Sequence, residues 1–386
     1  MMNCALDRRE CTALRGIAML GIMLHNYCHW LRFAVKENEF RFSEINNDRL
    51  LDVLAHPDWN LPIHLLSYFG HYGVPVFLFL SGFGLVMKYE ASPSLRRESL
   101  PQPPPKGGGD WSTKSPLFLV GGSFLKLFRM MIIGFVLFVV VDNLTPGPHR
   151  YALLDVVTQL LMVNNLMPTP DKVIWPGPFW FFGLMMQLYI IYHLLFSRLR
   201  NWRVVVAMIV ICWLVQMPFL GSGDGEMLNY LRYNFISGML PFGIGILVGR
   251  ISPHIRIEKV QAWHWILLLV GGCLLTVACC LVSAHTWLWS AVGVVLTAIA
   301  FIKLMPQRVI GWLAWTGGIS AAMFVTHATL RKIFIPISHR GDVYTGLLLY
   351  VVATFVVSWI LMGRIKNERM KKDEADKHTR FEPLQK

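Results

Sequence analysis

Histidine and arginine side chains lie close together in the first long apolar run of the sequence, LRGIAMLGIMLHNYCHWLRF. Arg15 stands near its start, and His25, Asn26 and His29 follow in its second half. A neutral imidazole can take a proton from a hydroxyl, or can accept an acyl group itself, near pH 7. The alternative for His25 is a packing role, with the ring bonded to a neighbouring serine or carbonyl. The run is therefore a candidate catalytic segment.

The spacing of His25 and His29 also suits two metal ligands on one helix face, because four residues separate them. The sequence places no carboxylate and no pair of cysteines beside them, so we predict that no metal is bound. Walker, HExxH, GxSxG and dinucleotide-binding motifs are absent as well. We therefore expect no permanently bound cofactor.

Other apolar runs carry single polar groups. Lys126 and Arg129 in SFLKLFRMM are three residues apart on nearly one helix face. They are candidates for holding the phosphates of a nucleotide-containing donor, and the alternative is that they reach to the lipid headgroups. Weaker candidates for lining a passage are Ser81, Gln187, Tyr189 and His327, since such residues also join membrane helices by hydrogen bonds.

Several glycines in these runs indicate close packing of helices rather than a phosphate-binding loop. They are Gly82 and Gly84 in SGFGL, and Gly245 and Gly249 in GIGILVGR. Small residues at such spacing let helix backbones approach each other in a membrane.

The elements that position these side chains are predicted to be membrane helices. Of the 386 residues, 54% are hydrophobic and 15% are charged, against roughly 25% charged in an ordinary soluble domain. That balance excludes a disordered chain and argues against a soluble enzyme. Apolar runs long enough to cross a bilayer predict an all-α bundle of ten spans, at residues 13–34, 61–87, 117–141, 179–197, 203–220, 232–250, 262–282, 286–304, 311–335 and 343–363. Residues 151–166 are apolar but short, and we expect them to lie at the membrane interface.

The distribution of basic residues predicts the orientation. With the N-terminus inside, 26 of the 36 Lys and Arg residues fall on the cytoplasmic side, so both termini are expected there. The net charge of +13 then suits an anionic leaflet or an anionic cytosolic ligand, and gives no reason to expect nucleic acid. We divide the chain into a membrane domain at 1–365, with a mobile cytoplasmic loop at 89–116, and a basic cytoplasmic tail at 366–386.

Acidic residues are expected outside the membrane. All 23 Asp and Glu fall outside the ten spans as drawn, which argues against a proton-coupled transporter, since these proteins commonly relay charge through intramembrane carboxylates. The loop at 36–60 faces outward in this topology and holds six carboxylates. It is expected either to be a solvated acidic loop or to fold over an outer opening.

The apolar motifs, taken in order, resemble acyltransferase family 3, the bacterial membrane acyltransferases. The resemblance rests on the Arg-Gly-Ile-Ala opening with a downstream His, GVPVFLFLSGFGL, FLKLFRMM, FWFFGLMMQLY, LPFGIGILVGR and ISAAMFVTHATL, and it covers roughly 340 residues. It implies a multi-pass protein of the bacterial inner membrane that transfers an acyl group, usually acetyl from acetyl-CoA. The acceptor it implies is a hydroxyl of an envelope or extracellular glycan or glycolipid. Its catalytic Arg and His correspond here to Arg15 and His25.

One departure from the family concerns the spacing of those two residues. The family leaves ten residues between them, whereas nine intervene here, so a regular helix would turn His25 about 80° away from Arg15. A one-residue π-bulge near Gly21 would restore a common face. Otherwise Asn26 takes the family position with His25 beside it, or His29 acts instead.

Two other functions remain open at this stage. A transporter or flippase of a lipid-linked glycan would use the same polar interior without chemistry, and a scaffold subunit of an envelope-synthesis complex would need neither Arg15 nor His25. The sequence leaves open the acceptor, the acyl chain length, the oligomeric state and any partner subunit.

Overall fold

The computed structural model describes residues 5–91, 115–220, 225–254 and 260–380, with side chains up to residue 365. Every regular element in these ranges is helical, which confirms the predicted all-α class. The loop predicted at 89–116 and the tail side chains lie largely outside the described residues. The last helix runs from Val343 to Arg380 and so continues past residue 365.

The main helices follow one another with short connections. They are α1 (Arg8–Cys28), α2 (Glu44–Ala55), α3 (Leu61–Phe69), α4 (Gly73–Tyr89), α5 (Pro116–Leu144), α6 (Leu153–Leu160), α7 (Trp180–Ile191), α8 (Trp202–Gln216), α9 (Gly225–Tyr233), α10 (Phe235–Ile251), α11 (Ala262–Val282), α12 (Ser290–Leu304), α13 (Gln307–His339) and α14 (Val343–Arg380). A 3-10 turn at Gly70–Tyr72 joins α3 to α4.

Eight helical segments in the described ranges are long and apolar enough to cross a membrane. They are Leu61–Tyr89, Pro116–Leu144, Gly177–Phe196, Trp202–Phe219, Phe235–His254, Ala262–Val282, Gln307–His339 and Val343–Ile365. The other two predicted spans correspond to α1, which carries charged residues, and to α12, which has 15 residues. The eight residues of α6 are too few to cross. The multi-pass architecture stands, and the count of ten remains a prediction.

The first helix begins and ends earlier than the predicted span 13–34. Asp7 caps its first turn, accepting from the Glu10 backbone N–H while the Glu10 carboxylate accepts from the Asp7 backbone N–H. This reciprocal capping box fixes the start at Arg8. The apolar residues Leu31 and Ala34 are buried but no longer helical, because the chain turns after Cys28.

Glycines bring helix backbones into contact at the centre of the bundle. A Cβ on Gly16 would lie 2.1 Å from the Leu313 carbonyl oxygen, and one on Gly317 would lie 1.8 Å from the Thr12 carbonyl oxygen, so α1 and α13 touch along their first halves. The same arrangement joins α4 to α10, where a Cβ on Gly82 would lie 2.1 Å from the Phe242 carbonyl oxygen. No side chain larger than hydrogen fits at these positions.

Polar contacts join helix ends that the predicted topology places on one side. At the ends predicted to be cytoplasmic, Arg250 pairs with Glu90 and Lys303 with Glu10. At the ends predicted to lie outside, Lys332 pairs with Asp142. Asp142 corrects the expectation that no span contains a carboxylate, because α5 runs on to Leu144 and buries this side chain completely.

Candidate functional site

His25 lies in the last turn of α1, near the outer end of the helix. The helix starts at Arg8 and ends at Cys28, so three helical residues follow His25. A depth near the middle of the membrane, as the sequence suggests, stays a prediction. His25 is 5% exposed and is surrounded by polar groups as well as apolar ones. The residues around it come from the outer loop, from the turn before α4 and from α13.

Helix α1 is a regular α-helix through Gly21, so the π-bulge considered in the sequence analysis is not present. A π-helical turn occurs instead at Tyr192–Phe196, after α7. Arg15 and His25 therefore point about 80° apart and lie about 15 Å apart along the axis. Arg15 lies within electrostatic reach of Tyr189, whose hydroxyl is beside Ser81.

The tautomer of His25 follows from its hydrogen bond. Its Nδ1 lies 2.8 Å from the backbone carbonyl oxygen of Ser67. A carbonyl oxygen only accepts, so in the neutral ring Nδ1 carries the proton and Nε2 has the free lone pair. The Ser67 hydroxyl in turn donates to the Val35 carbonyl at 2.6 Å. The ring is thus held as a base with a defined direction.

A carboxylate does lie beside these histidines, contrary to the expectation from the sequence. The outer loop returns Glu37 to His29, whose Nδ1 donates to Glu37 Oε2 at 2.6 Å. Burial opposes ionisation of Glu37, but the His29 hydrogen bond and the neighbouring imidazoles outweigh it and lower the pKa of Glu37 to about 2. Glu37 is therefore charged at neutral pH and orients the His29 ring.

Nitrogen atoms of His25 and His29 and a carboxylate oxygen of Glu37 lie within 4.8 Å of one another. Two imidazoles and a carboxylate are a donor set that zinc accepts. In the present arrangement the Glu37 carboxylate accepts from His29, and a metal would have to compete with that hydrogen bond. These are the residues that could hold an ion, and the absence of a metal stays a prediction.

His71 is a third histidine of the site and was missed by the sequence analysis. Its ring is 5.6 Å from that of His25, edge to face, and the residue is buried. Gly70 and Gly21 allow this approach, because a Cβ on Gly70 would lie 2.7 Å from the His25 Cβ. The sequence signal was GHYG, a histidine flanked by glycines at the start of an apolar run.

Helix α13 contributes His327 and Arg331. His327 Nδ1 is 2.7 Å from the Phe324 carbonyl oxygen, so its free lone pair is on Nε2, which is buried and has no hydrogen-bond partner. Arg331 is buried and donates to the backbone and side-chain oxygens of Asn26. The structure thus brings together four residues predicted from the sequence, His25, Asn26, His29 and His327. The sequence analysis did not single out Arg331.

The remaining predicted residues lie elsewhere. Gln187 donates to the Asn234 side chain at 2.8 Å and accepts from the Phe235 backbone N–H at 2.9 Å, so it joins α7 to α10. Lys126 and Arg129 are exposed on α5, a placement that fits the headgroup alternative. Their assignment to the donor phosphates remains an expectation.

A cavity of about 60 Å³ is lined in part by His71. Its polar lining includes His71, Glu39 and Arg232, and its walls include Trp180 and Trp287. Arg232 donates to the Glu39 backbone oxygen at 2.8 Å and lies over the Trp287 ring at 4.5 Å. A histidine in contact with His25 therefore opens on a polar, aromatic-walled space.

Comparisons with known proteins give one match. A family model described as an acyltransferase domain matches residues 9–363, which is nearly the whole chain. No curated protein and no solved structure matches the sequence. The matched range contains every residue of the histidine cluster, seven of the eight candidate membrane helices in full and the eighth up to residue 363. The chain therefore belongs to acyltransferase family 3 and is a membrane acyltransferase.

Proposed function

We propose that this protein is an O-acyltransferase of the bacterial inner membrane, which moves an acyl group, acetyl in the first instance, from acyl-CoA to a hydroxyl of an envelope glycan or glycolipid. The observation that carries the proposal is the His25 ring, held by the Ser67 carbonyl with Nε2 as the free base. A positioned imidazole of this kind takes the proton of an attacking hydroxyl.

The proposed arrangement of the substrates follows from the axis of α1. In the predicted orientation a donor coming from the cytosol passes Arg15 about 15 Å before it reaches His25. Arg15 makes no hydrogen bond or ion pair with the described residues, so its guanidinium is available for the donor's phosphates or thioester end. The acceptor arrives from the outer side, where His29 is partly exposed. Lys126 and Arg129 remain candidates for the donor's nucleotide end.

The test is acyl transfer by the purified full-length protein in lipid, with radiolabelled acetyl-CoA and an extract of envelope glycans. We expect wild type to label the glycans and His25→Asn to lose roughly 100-fold or more of that rate, since general-base catalysis contributes about that much. His56→Asn is the matched control, because that ring is exposed and pairs only with Asp52.

A wild-type protein that leaves the thioester intact would overturn the proposal in favour of a transporter. Equal rates for wild type and His25→Asn, at matched expression and thermal stability, would overturn the role of His25. Mass spectrometry of envelope glycans from cells with and without the gene identifies the acceptor through the loss of one acyl ester, whose mass gives the chain length.

A further inference from the structure

Arg331 is a buried cation with no carboxylate partner among the residues that the structure describes. It is 4% exposed, and its hydrogen bonds run from one guanidinium nitrogen to the Asn26 carbonyl and side-chain oxygens, at 3.3 and 3.2 Å. Both acceptors are neutral. The carboxylates of the same region pair with other side chains: Asp142 pairs with Lys332, and Glu37 pairs with His29.

The Arg331 guanidinium is positioned by contacts with Asn26 and Trp30. Its carbon lies 4.4 Å from the centre of the Trp30 ring, and Trp30 follows Asn26 by four residues. Asn26 directly follows His25, and Trp30 directly follows His29. Arg331 therefore contacts the chain next to both histidines. Arg331 also acts on both His25 and His327 electrostatically.

A buried guanidinium in a membrane protein costs free energy unless an anion or several acceptors compensate it. Here one nitrogen is used and the Nε and second terminal nitrogen make no hydrogen bond with described residues. An arginine in such a position favours a negative charge near His25, on which it acts electrostatically. In acyl transfer that charge arises on the thioester carbonyl oxygen during the reaction.

We propose that Arg331 is a catalytic residue that binds this oxyanion, an inference that rests on the proposed function. The acceptor hydroxyl gives its proton to His25 Nε2 while its oxygen bonds to the thioester carbon. The carbonyl electron pair moves to the oxygen, which Arg331 holds. When the pair returns, the carbon–sulfur bond breaks, and the thiolate takes the proton from His25 to leave as free CoA thiol.

The experiment compares Arg331→Gln and Arg331→Lys with wild type in the purified transfer assay, varying acetyl-CoA and acceptor separately. Loss of an oxyanion donor is expected to lower kcat by roughly 100-fold or more, with both KM values little changed. Lysine keeps the charge without the planar fork, so we expect it to recover part of the loss. Arg340→Gln is the matched control, because it removes the same charge from an exposed position at the end of α13.

Two further readouts separate chemistry from folding. Thermal unfolding of each variant shows whether α13 still packs on α1. Addition of guanidinium at low concentration to Arg331→Ala should raise its kcat, because a free guanidinium can occupy the vacated position.

The outcomes are distinct. A raised KM for the acceptor with kcat preserved would mean that Arg331 binds a permanent anion of the acceptor, which overturns the inference, as would unchanged kinetics or a kcat loss without rescue in a folded variant. If His25→Asn abolishes transfer while Arg331→Gln does not, this inference fails and the proposed function stands. If wild type transfers no acyl group, both fail.

Discussion

Glu37 and Glu39 stand two residues apart in the outer loop, yet their surroundings shift their pKa values in opposite directions. The pKa of Glu37 is lowered to about 2, since the His29 hydrogen bond and nearby imidazoles outweigh burial. Burial and the charge of Glu37 raise the pKa of Glu39 to about 8, against the smaller opposing effect of Arg232. At neutral pH Glu37 is therefore charged, whereas Glu39 is largely protonated.

This difference predicts opposite effects of the two glutamine substitutions on stability. Folded Glu39 keeps a proton that the unfolded chain releases above its ordinary pKa of 4.5, so its contribution becomes less favourable as pH rises from 4.5 to 8. Glu39→Gln should therefore raise Tm relative to wild type at pH 8 and change it little at pH 4.5.

Glu37 gives the converse result. Its lowered pKa contributes stability that is present above pH 4.5 and is lost as pH falls towards 2. Glu37→Gln should lower Tm at pH 8. Thermal unfolding of both variants in detergent at pH 4.5 and 8 measures this, and shifts of the same sign at pH 8 would contradict the assigned environments.

The individual site residues were only partly predictable. Polar residues within apolar runs are visible in the sequence, and the structure brings four of them together: His25, Asn26, His29 and His327. Glu37 was missed because it belongs to an acidic loop, and only the return of that loop over α1 places it at His29. His71 and Arg331 were missed because their neighbours lie on other helices, a relation that spacing along the chain does not encode.

At the scale of the helices, the hydropathy pattern predicted which segments are helical better than it predicted where each helix begins and ends. The apolar run after His29 extended the predicted first span to residue 34, yet Leu31 and Ala34 are buried in a non-helical segment. Apolar residues packed under a loop and apolar residues facing lipid give the same pattern. The capping box of Asp7 and Glu10 was the local signal that would have placed the start at Arg8.

Glycine packing makes a sharp prediction at this scale. The close-packing prediction is confirmed for Gly82, Gly245 and Gly249, and it is wrong for Gly84, around which a Cβ would meet no atom within 4 Å. Gly82→Ala would drive a methyl group against the backbone of α10, which must shift. We expect the free energy of unfolding to fall by about 1–3 kcal/mol or more, as it does when a core is overpacked.

Gly84→Ala is the control for that prediction, two residues away in the same helix. It should be neutral or slightly stabilising, because alanine is the better helix former and has room. Thermal unfolding of the two purified variants measures the contrast, and equal Tm values would show that α4 and α10 do not touch as described.

For the whole molecule, each ion pair between helix ends joins two ends that the predicted ten crossings place on the same side of the membrane. Arg250 with Glu90, and Lys303 with Glu10, join ends predicted to be cytoplasmic, whereas Lys332 with Asp142 joins outer ends. We expect both termini inside. An odd number of crossings between the two members of a pair would place them on opposite sides of the bilayer.

Cysteine labelling in intact cells tests the orientation. On a background with the native cysteines replaced, Asp52→Cys should react with a membrane-impermeant maleimide added outside. Arg200→Cys should react only after the membrane is permeabilised. Both positions are exposed, so accessibility differs only by side, and labelling of both from outside would contradict the topology.

The backbone contact of α1 with α13 at Gly16 and Gly317 has a consequence for turnover. With carbonyl oxygens against Cα atoms, either helix would collide with the other if it slid or rolled along it. We therefore expect His25 and Arg331 to keep a nearly constant separation. We therefore expect a bulky acceptor to enter by displacement of the chain between Cys28 and Glu44, which forms no regular helix. In that case the covering segment moves, and the proposed reacting groups keep their places.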